Sequence, residues 1–286
     1  MSTPALAFSE REFMVIKVAR AIEDGKTYWV AGGGGPLYSV LLAKALGLAP
    51  EAQYVTEDGV VAPEPVLPFQ AMGSMMSSRA AYRALQWGTM NTAGDLAQLG
   101  YLDYGILNTL QVDQFGNINS TVLGSYDEWS RRFGGPGGAQ TIAAQCWRTI
   151  LMTDQQRRKF VDRVDFISSP GFLDGSEGAR ERAGLPAGTG PWRVYTPWAT
   201  FDYEHRRLRL IERSPWVTVD QILAECDFRP QLAPEVAVSA PPTDDELTVY
   251  RTRLDVRGQT MDRGVWVIRD EQGQYTRQGE QEEGDS

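Results

Sequence analysis

Apolar residues recur at helical spacing in the first segment of the chain, SEREFMVIKVARAIEDG, where Phe13, Ile16 and Ala19 form a stripe. Ser9 and Glu12 supply a capping box at its start, and Gly25 supplies a stop. The pattern then shortens. KTYWV is a compact apolar run, read as a strand, that enters the glycine loop AGGGG. PLYSVLLAKALG returns to helical spacing with Pro36 in its first turn, and QYVTED reads as the next strand, running into a turn at Asp58–Gly59. Strand, glycine loop, helix and strand in that order predict a parallel sheet with helices packed on it.

Further along, YLDYGILNTLQVDQFGNINST reads as a strand, a turn at Asp113–Gly116 and a short return. RRFGGPGGAQTIAAQCWRTILM reads as a second glycine loop followed by an apolar helix or buried segment, and VDFISSPGFLDG as another strand with a turn. VYTPWATFDY and RLRLIERS make a hairpin, followed by a helix starting near Thr218. Thr243 with Glu246 forms a second capping box. Periodicity then fades except in GVWVIRD, a candidate last strand. No internal repeat of solenoid length occurs. The expectation is one α/β domain over residues 1–260, built on an open, mainly parallel sheet with flanking helices, and a polar C-terminal tail over 261–286.

Composition narrows the function. The 286 residues are enough for a substantial core, and no run of about 18 apolar residues suggests a membrane span. The N-terminus lacks the basic and apolar regions of a signal peptide, so the cytoplasm is expected. A formal charge of −9 argues against a nucleic-acid partner. Cys146 and Cys226 show no CxxC spacing and read as buried, reduced thiols rather than metal ligands. The single histidine, His205, lies in a polar stretch and reads as a surface residue, and no GxSxG elbow accompanies it. Chemistry without histidine or a metal is expected.

Two glycine loops and one carboxylate carry the candidate chemistry. AGGGGPLYS stands between a strand and a helix, where phosphate-binding loops occur, yet no Lys-Ser or Lys-Thr follows it. The dinucleotide fingerprint also fails: Leu37 or Tyr38 stands where the third glycine belongs. Glu57 falls at the distance of a ribose-binding acid, so ribose ligand, solvated loop residue and nucleophile are all open readings from spacing alone. Consecutive glycines at 134–138 expose backbone N–H groups that can form an anion nest. A nest and a carboxylate together would suit acyl chemistry, in which an oxyanion is stabilised while the carboxylate attacks.

At this point the motifs resemble a known family. AGGGGPLYSVLLAKALGLAP with Ala49-Pro50, QVDQFGNINST, RRFGGPGGAQ, SSPGFLDG, ARERAGLPAGTGP and PPTDDEL follow the order seen in the β subunit of class I coenzyme A-transferases, glutaconate CoA-transferase above all. The resemblance runs from about residue 9 to about residue 256. It implies a CoA-transferase-like fold, and it places the family's nucleophilic glutamate at Glu57 in TEDG. It further implies that Gly137 and Gly138 hold the oxyanion and that Gly32, Gly34 and Pro36 shape the loop behind the nucleophile; Gly116, Asn117 and Asn119 read first as a turn held by Asn side chains on the backbone, and second as candidates for the coenzyme A site. Two departures stand out. Asn108-Thr109-Leu110 replaces the usual Gly-Gly-Ala, and Asp58 replaces a small or amide residue.

The activity so implied is ping-pong transfer of coenzyme A from an acyl-CoA donor to a carboxylic acid through a glutamyl-CoA thioester. Coenzyme A is then a substrate, and no cofactor is permanently bound. Carboxylate chemistry of this kind requires no histidine base. The family divides its site between two chains, so an α subunit is the implied partner, in a heterodimer or heterotetramer. Two alternatives remain open at this stage: a CoA-thioester or ring-opening hydrolase of the same fold, and a non-catalytic regulatory subunit.

Overall fold

The computed structural model describes residues 6–31, 34–68, 79–258 and 265–279. In chain order it begins with β1 (Leu6–Ser9), α1 (Glu10–Arg20), β2 (Thr27–Val30), α2 (Gly35–Ala45), β3 (Gln53–Thr56), β4 (Val60–Val61) and β5 (Gln86–Trp87). There follow α3 (Met90–Gln98), β6 (Tyr104–Asn108), β7 (Gln111–Asp113), β8 (Ile118–Asn119), β9 (Val122–Gly124), β10 (Trp129–Arg132) and α4 (Ala139–Gln145). The remainder comprises β11 (Arg148–Met152), β12 (Phe160–Val161), α5 (Ala179–Arg182), β13 (Pro191–Tyr195), β14 (Ala199–Glu204) and β15 (Arg207–Arg213). It closes with α6 (Val219–Ala224), β16 (Gln231–Val238), α7 (Asp244–Val249), β17 (Trp266–Arg269) and β18 (Tyr275–Gln278).

The main sheet has the order β16-β15-β14-β13-β11-β6-β2-β3-β4-β5. Its centre, β3-β2-β6-β11-β13, is parallel throughout. Side chains along these strands alternate between two cores. Tyr28, Val30, Ile106, Ile150 and Met152 enter the layer under α1 and α2. Trp29, Leu107 and Leu151 enter the opposite layer with Ile142 and Ala143 of α4. A parallel sheet covered on both faces needs apolar side chains at successive positions, which explains the unbroken runs read from the sequence. Truncating a fully buried member such as Ile106 to Ala would cost about 2–5 kcal/mol.

The capping boxes form as their spacing predicts. The Ser9 hydroxyl accepts from Glu12 N at 3.1 Å while the Glu12 carboxylate accepts from Ser9 N at 2.7 Å. Thr243 and Glu246 repeat the arrangement at α7, and Thr218 and Gln221 do so at α6. The Glu12 and Glu246 carboxylates also pair with Arg251 and Arg20, tying α1 to the C-terminal helical segment.

Two expectations change. VDFISSPGFLDG forms no strand of its own: past β12 the chain makes only an isolated bridge, Ser169 to Ile118. Pro170 lacks an N–H, and Arg180 takes the carbonyls of Pro170 and Gly171 in place of a neighbouring strand. The stretch read as a polar tail is in part structured. β17 and β18 form a hairpin, and β17 pairs antiparallel with β1. GVWVIRD supplies β17 as read, Val267 is fully buried there, and the Arg277 guanidinium of β18 reaches Glu10 at 2.7 Å, so distant partners order this part of the segment.

The two edges of the main sheet differ. β16 carries Pro234, whereas β5 is two exposed residues, Gln86 and Trp87, flanked by exposed Leu85 and Met90.

Candidate active site

In open parallel sheets ligands bind beyond the carboxyl ends of the strands. Here the carboxyl ends of β2, β3 and β6 and the residues just beyond them contribute Ala31, Glu57 and Asn108 to one cleft of about 990 Å³. α3 supplies a wall through Met90, Asn91, Asp95 and Gln98, and the loop Gly134–Gly138 with α4 supplies another. Glu57, Gly137 and Gly138, three residues singled out from the sequence, therefore line the same cleft.

The turn that carries Glu57 is fixed from both sides. Gly59 N donates to Thr56 O at 3.0 Å. The buried Thr56 hydroxyl donates to the Asp58 carboxylate and accepts from Val60 N at 3.1 Å. Asp58 thus closes the turn onto Thr56, while Glu57 between them is half-buried at the cleft wall. Gly59 has φ +87°, and a Cβ there would collide with the backbone of Thr89, the residue preceding α3. The nucleophile candidate and α3 are consequently held as one unit.

The second glycine loop follows the β9–β10 hairpin and leads into α4. Gly135 N donates to Ser120 O at 3.0 Å and Ala139 N to Pro136 O at 2.9 Å. Among the described residues neither Gly137 N nor Gly138 N donates a hydrogen bond. Gly137 has φ +54°, a left-handed conformation that favours glycine, and a Cβ on Gly138 would sit 3.9 Å from the Trp29 ring. Two backbone donors at the head of a helix can hold an oxyanion.

The other sequence candidates are placed differently. Gly32 lies outside the described residues. Gly34 and Pro36 are buried at the start of α2, where Gly34 adopts φ +75° and its carbonyl accepts from Tyr38 N at 2.8 Å; neither lines the cleft. Gly116, Asn117 and Asn119 do not line it either. Asn117 donates to Asp113 and Leu173 O and accepts from Gly171 N and Leu173 N. Asn119 is occupied by Gln111, Thr121 and Val122 O. Their polar atoms bind neighbouring protein groups. Burial raises the Asp113 carboxyl above the ordinary range, opposed by hydrogen bonds from Asn117 and the backbone.

Sequence reading missed Trp29 and all of α3. A signal was present: Thr89 and Thr92 at the start, then Ala93, Leu96 and Ala97 at helical spacing. Of the two departures, Asn108 ends β6 and lines the cleft. Thr109 turns inward and donates to Gln111 O at 2.7 Å, and Leu110 is exposed.

Among the described residues the lining holds two acids, Glu57 and Asp95, and no lysine or arginine. Among the described residues no cluster of His, Cys, Asp and Glu is arranged to hold a metal ion, and no helix is long and apolar enough to cross a membrane. Cys146 and Cys226 are buried and unbonded to each other, and burial pushes both thiols up to about 12.

These features have parallels in known proteins. The B-type subunit of 3-oxoadipate CoA-transferase from Pseudomonas knackmussii is 32% identical over 252 residues, which is 86% of this chain and 93% of that one. The B-type subunit of glutaconate CoA-transferase from Acidaminococcus fermentans is 29% identical over 240 residues, 82% of this chain and 88% of that one. The crystal structure of glutaconate coenzyme A-transferase from the same organism superposes with a TM-score of 0.79 at 26% identity, covering 90% of this chain and 98% of that chain. A family model described as coenzyme A transferase matches residues 12–225, which takes in both glycine loops and Glu57. With the parallel centre of the sheet and the whole lining of the cleft inside that span, the chain belongs to the coenzyme A transferase family.

Proposed function

We propose that this chain is the B-type subunit of a two-subunit CoA-transferase and that Glu57 is its nucleophile. The Glu57 carboxylate attacks the thioester carbonyl of an acyl-CoA, and the bond to sulfur breaks. This leaves a mixed anhydride on Glu57 and a CoA thiolate. The thiolate attacks the glutamyl carbonyl, forming a glutamyl-CoA thioester and releasing the first carboxylate. An acceptor carboxylate then runs the same steps in reverse. The developing oxyanion is held by the N–H groups of Gly137 and Gly138. The observation that carries this reading is the common cleft, in which Glu57 and these two donors share one wall system at the carboxyl edge of the parallel sheet.

The charge of the cleft supports a second subunit. An acyl-CoA and a carboxylic acid are both anions, yet among the described residues the lining from this chain carries two carboxylates and no lysine or arginine. The compensating positive charge comes from the partner, an A-type chain that completes the site. The named relatives act on 3-oxoadipate and glutaconate, and we assign this chain a short dicarboxylic acyl group on that basis. Asn91, Gln98, Asn108 and Gln145 supply amides suited to the distal carboxylate.

Mass spectrometry of the purified complex after mixing with acyl-CoA tests the nucleophile. CoA is expected on the peptide containing Glu57 and absent after Glu57→Ala. Undiminished turnover in that variant, with no adduct on the wild type, would sink the assignment. Product analysis with and without an acceptor acid separates transfer from hydrolysis.

A further inference from the structure

A second cavity, of about 370 Å³, lies at the opposite edge of the sheet. Its lining includes Arg148 and Pro191, the first residues of β11 and β13, so it opens at the amino ends of strands whose neighbours bear the cleft at their carboxyl ends. Its volume falls within the range of small-molecule pockets, about 300–1,000 Å³. Three of the residues lining it are arginines, Arg148, Arg180 and Arg206, and one, Glu181, is acidic. A chain with a formal charge of −9 thus concentrates positive charge at one concave site.

The three arginines are held in different ways. Arg180 is 4% exposed. Its Nη1 donates to Pro170 O and Gly171 O, and its Nη2 to Ala143 O, Ala144 O and the Thr189 hydroxyl. Its buried Nε has no partner among the described residues. Burial lowers its pKa to about 10, partly offset by Glu181, so the guanidinium stays charged at neutral pH. Arg206 spends Nε on Gly175 O at 2.9 Å, and its terminal nitrogens make no hydrogen bond among the described residues. Arg148 is exposed, with its guanidinium carbon 5.9 Å from the centroid of the Trp192 ring. Among the described residues none of the three forms an ion pair with a carboxylate. Arginine forks with uncommitted terminal nitrogens match carboxylate and phosphate geometry. Trp147, Phe172 and Trp192 supply the aromatic part of the wall, while the hydroxyls of Ser176 and Thr189 are taken by Arg182 and Arg180.

We propose that this cavity is a second ligand site, taking a small organic anion whose carboxylate or phosphate pairs with Arg148 and Arg206 and whose apolar part lies against Trp147, Phe172 and Trp192. Arg180 contributes fixed charge from the cavity floor. The site is separate from Glu57, and the proposal stands or falls independently of the transfer chemistry.

Isothermal titration of the full chain, in its complex, with benzoate, phenyl phosphate, acetate and inorganic phosphate tests this. At least one ring-bearing anion should bind tenfold or more tightly than its ringless counterpart. Preference for phenyl phosphate assigns a phosphate ester, and preference for benzoate assigns a carboxylate. The paired substitution Arg148→Gln and Arg206→Gln should weaken that binding at least tenfold, and Glu57→Ala should leave it unchanged. Because Arg206 anchors a turn, Arg148→Gln alone, at an exposed residue, serves as the control for folding and should weaken binding severalfold. Equal binding of ringed and ringless anions, or affinity unaffected by both arginine variants, overturns the proposal.

Discussion

The backbone of Gly59 packs against that of Thr89 with no room for a side chain. This contact joins the turn carrying Glu57 to the head of α3. Gly59→Ala adds a methyl group at φ +87° in that closed space. A loss of about 2 kcal/mol or more in stability is expected, measured by urea denaturation. Turnover of the folded fraction should fall as well, because Glu57 and α3 would separate.

Asp58 is a turn residue, and its variants should separate geometry from charge. Asp58→Asn keeps an oxygen able to accept from the Thr56 hydroxyl, so its activity should stay within about threefold of wild type. Asp58→Ala removes that acceptor and should cost about 1 kcal/mol, visible as a lowered thermal midpoint together with slower turnover.

Gly138→Ala probes the second loop. Its backbone has φ −76°, open to any residue, and the added methyl meets the Trp29 ring at ordinary contact distance. Stability should therefore hold while turnover falls roughly 10- to 100-fold through displacement of the acyl oxygen. A steady-state assay paired with thermal denaturation reads both. A variant with wild-type turnover removes Gly138 from the site.

Lys17 predicts a pH dependence of stability. It is buried, donates to Thr196 O at 2.6 Å and Ala199 O at 3.2 Å, and burial lowers its pKa from 10.5 to about 7, with Glu212 and Glu10 opposing. Below pH 7 both states carry the proton and this contribution is flat. Between pH 7 and 10 the unfolded chain binds more protons, so the contribution rises with pH by up to about 1.4 kcal/mol per unit. The difference in unfolding free energy between wild type and Lys17→Met, measured across that window, should show this slope. A difference independent of pH would place the titration elsewhere.

His205 occupies the β14–β15 turn with φ +49°. Asn is better suited to that conformation, so His205→Asn should stabilise the protein by up to about 1 kcal/mol. Turnover and its pH profile should not change, since no step assigned here uses an imidazole.

Elements written in local chemistry were legible from the sequence. The capping boxes at Ser9 and Thr243 need only residues three apart, and the strand–loop–helix–strand order implied the parallel core. The cleft was not legible as a place. Glu57, Asn108 and Gly138 meet only once β3, β2 and β6 lie side by side, an order no local pattern encodes. Only resemblance directs Asn117 and Asn119 toward the site. Asn117 binds groups more than 50 residues away, and the return of Asn119 to Gln111 depends on β7 and β8 pairing. α3 is hard to read because Gly94 weakens its pattern and its cap uses two threonines in place of a Thr–Glu pair.

The unequal edges of the main sheet bear on how the protein must be produced. Proline on β16 discourages further strand pairing at that side, but the short β5 edge displays Trp87 among exposed apolar neighbours. A chain that leaves this edge uncovered is prone to self-associate through it. Dilute expression and a charged residue at that edge, as in Trp87→Lys, are therefore the route to material that stays in solution, and the unaltered chain should sediment faster as its concentration rises.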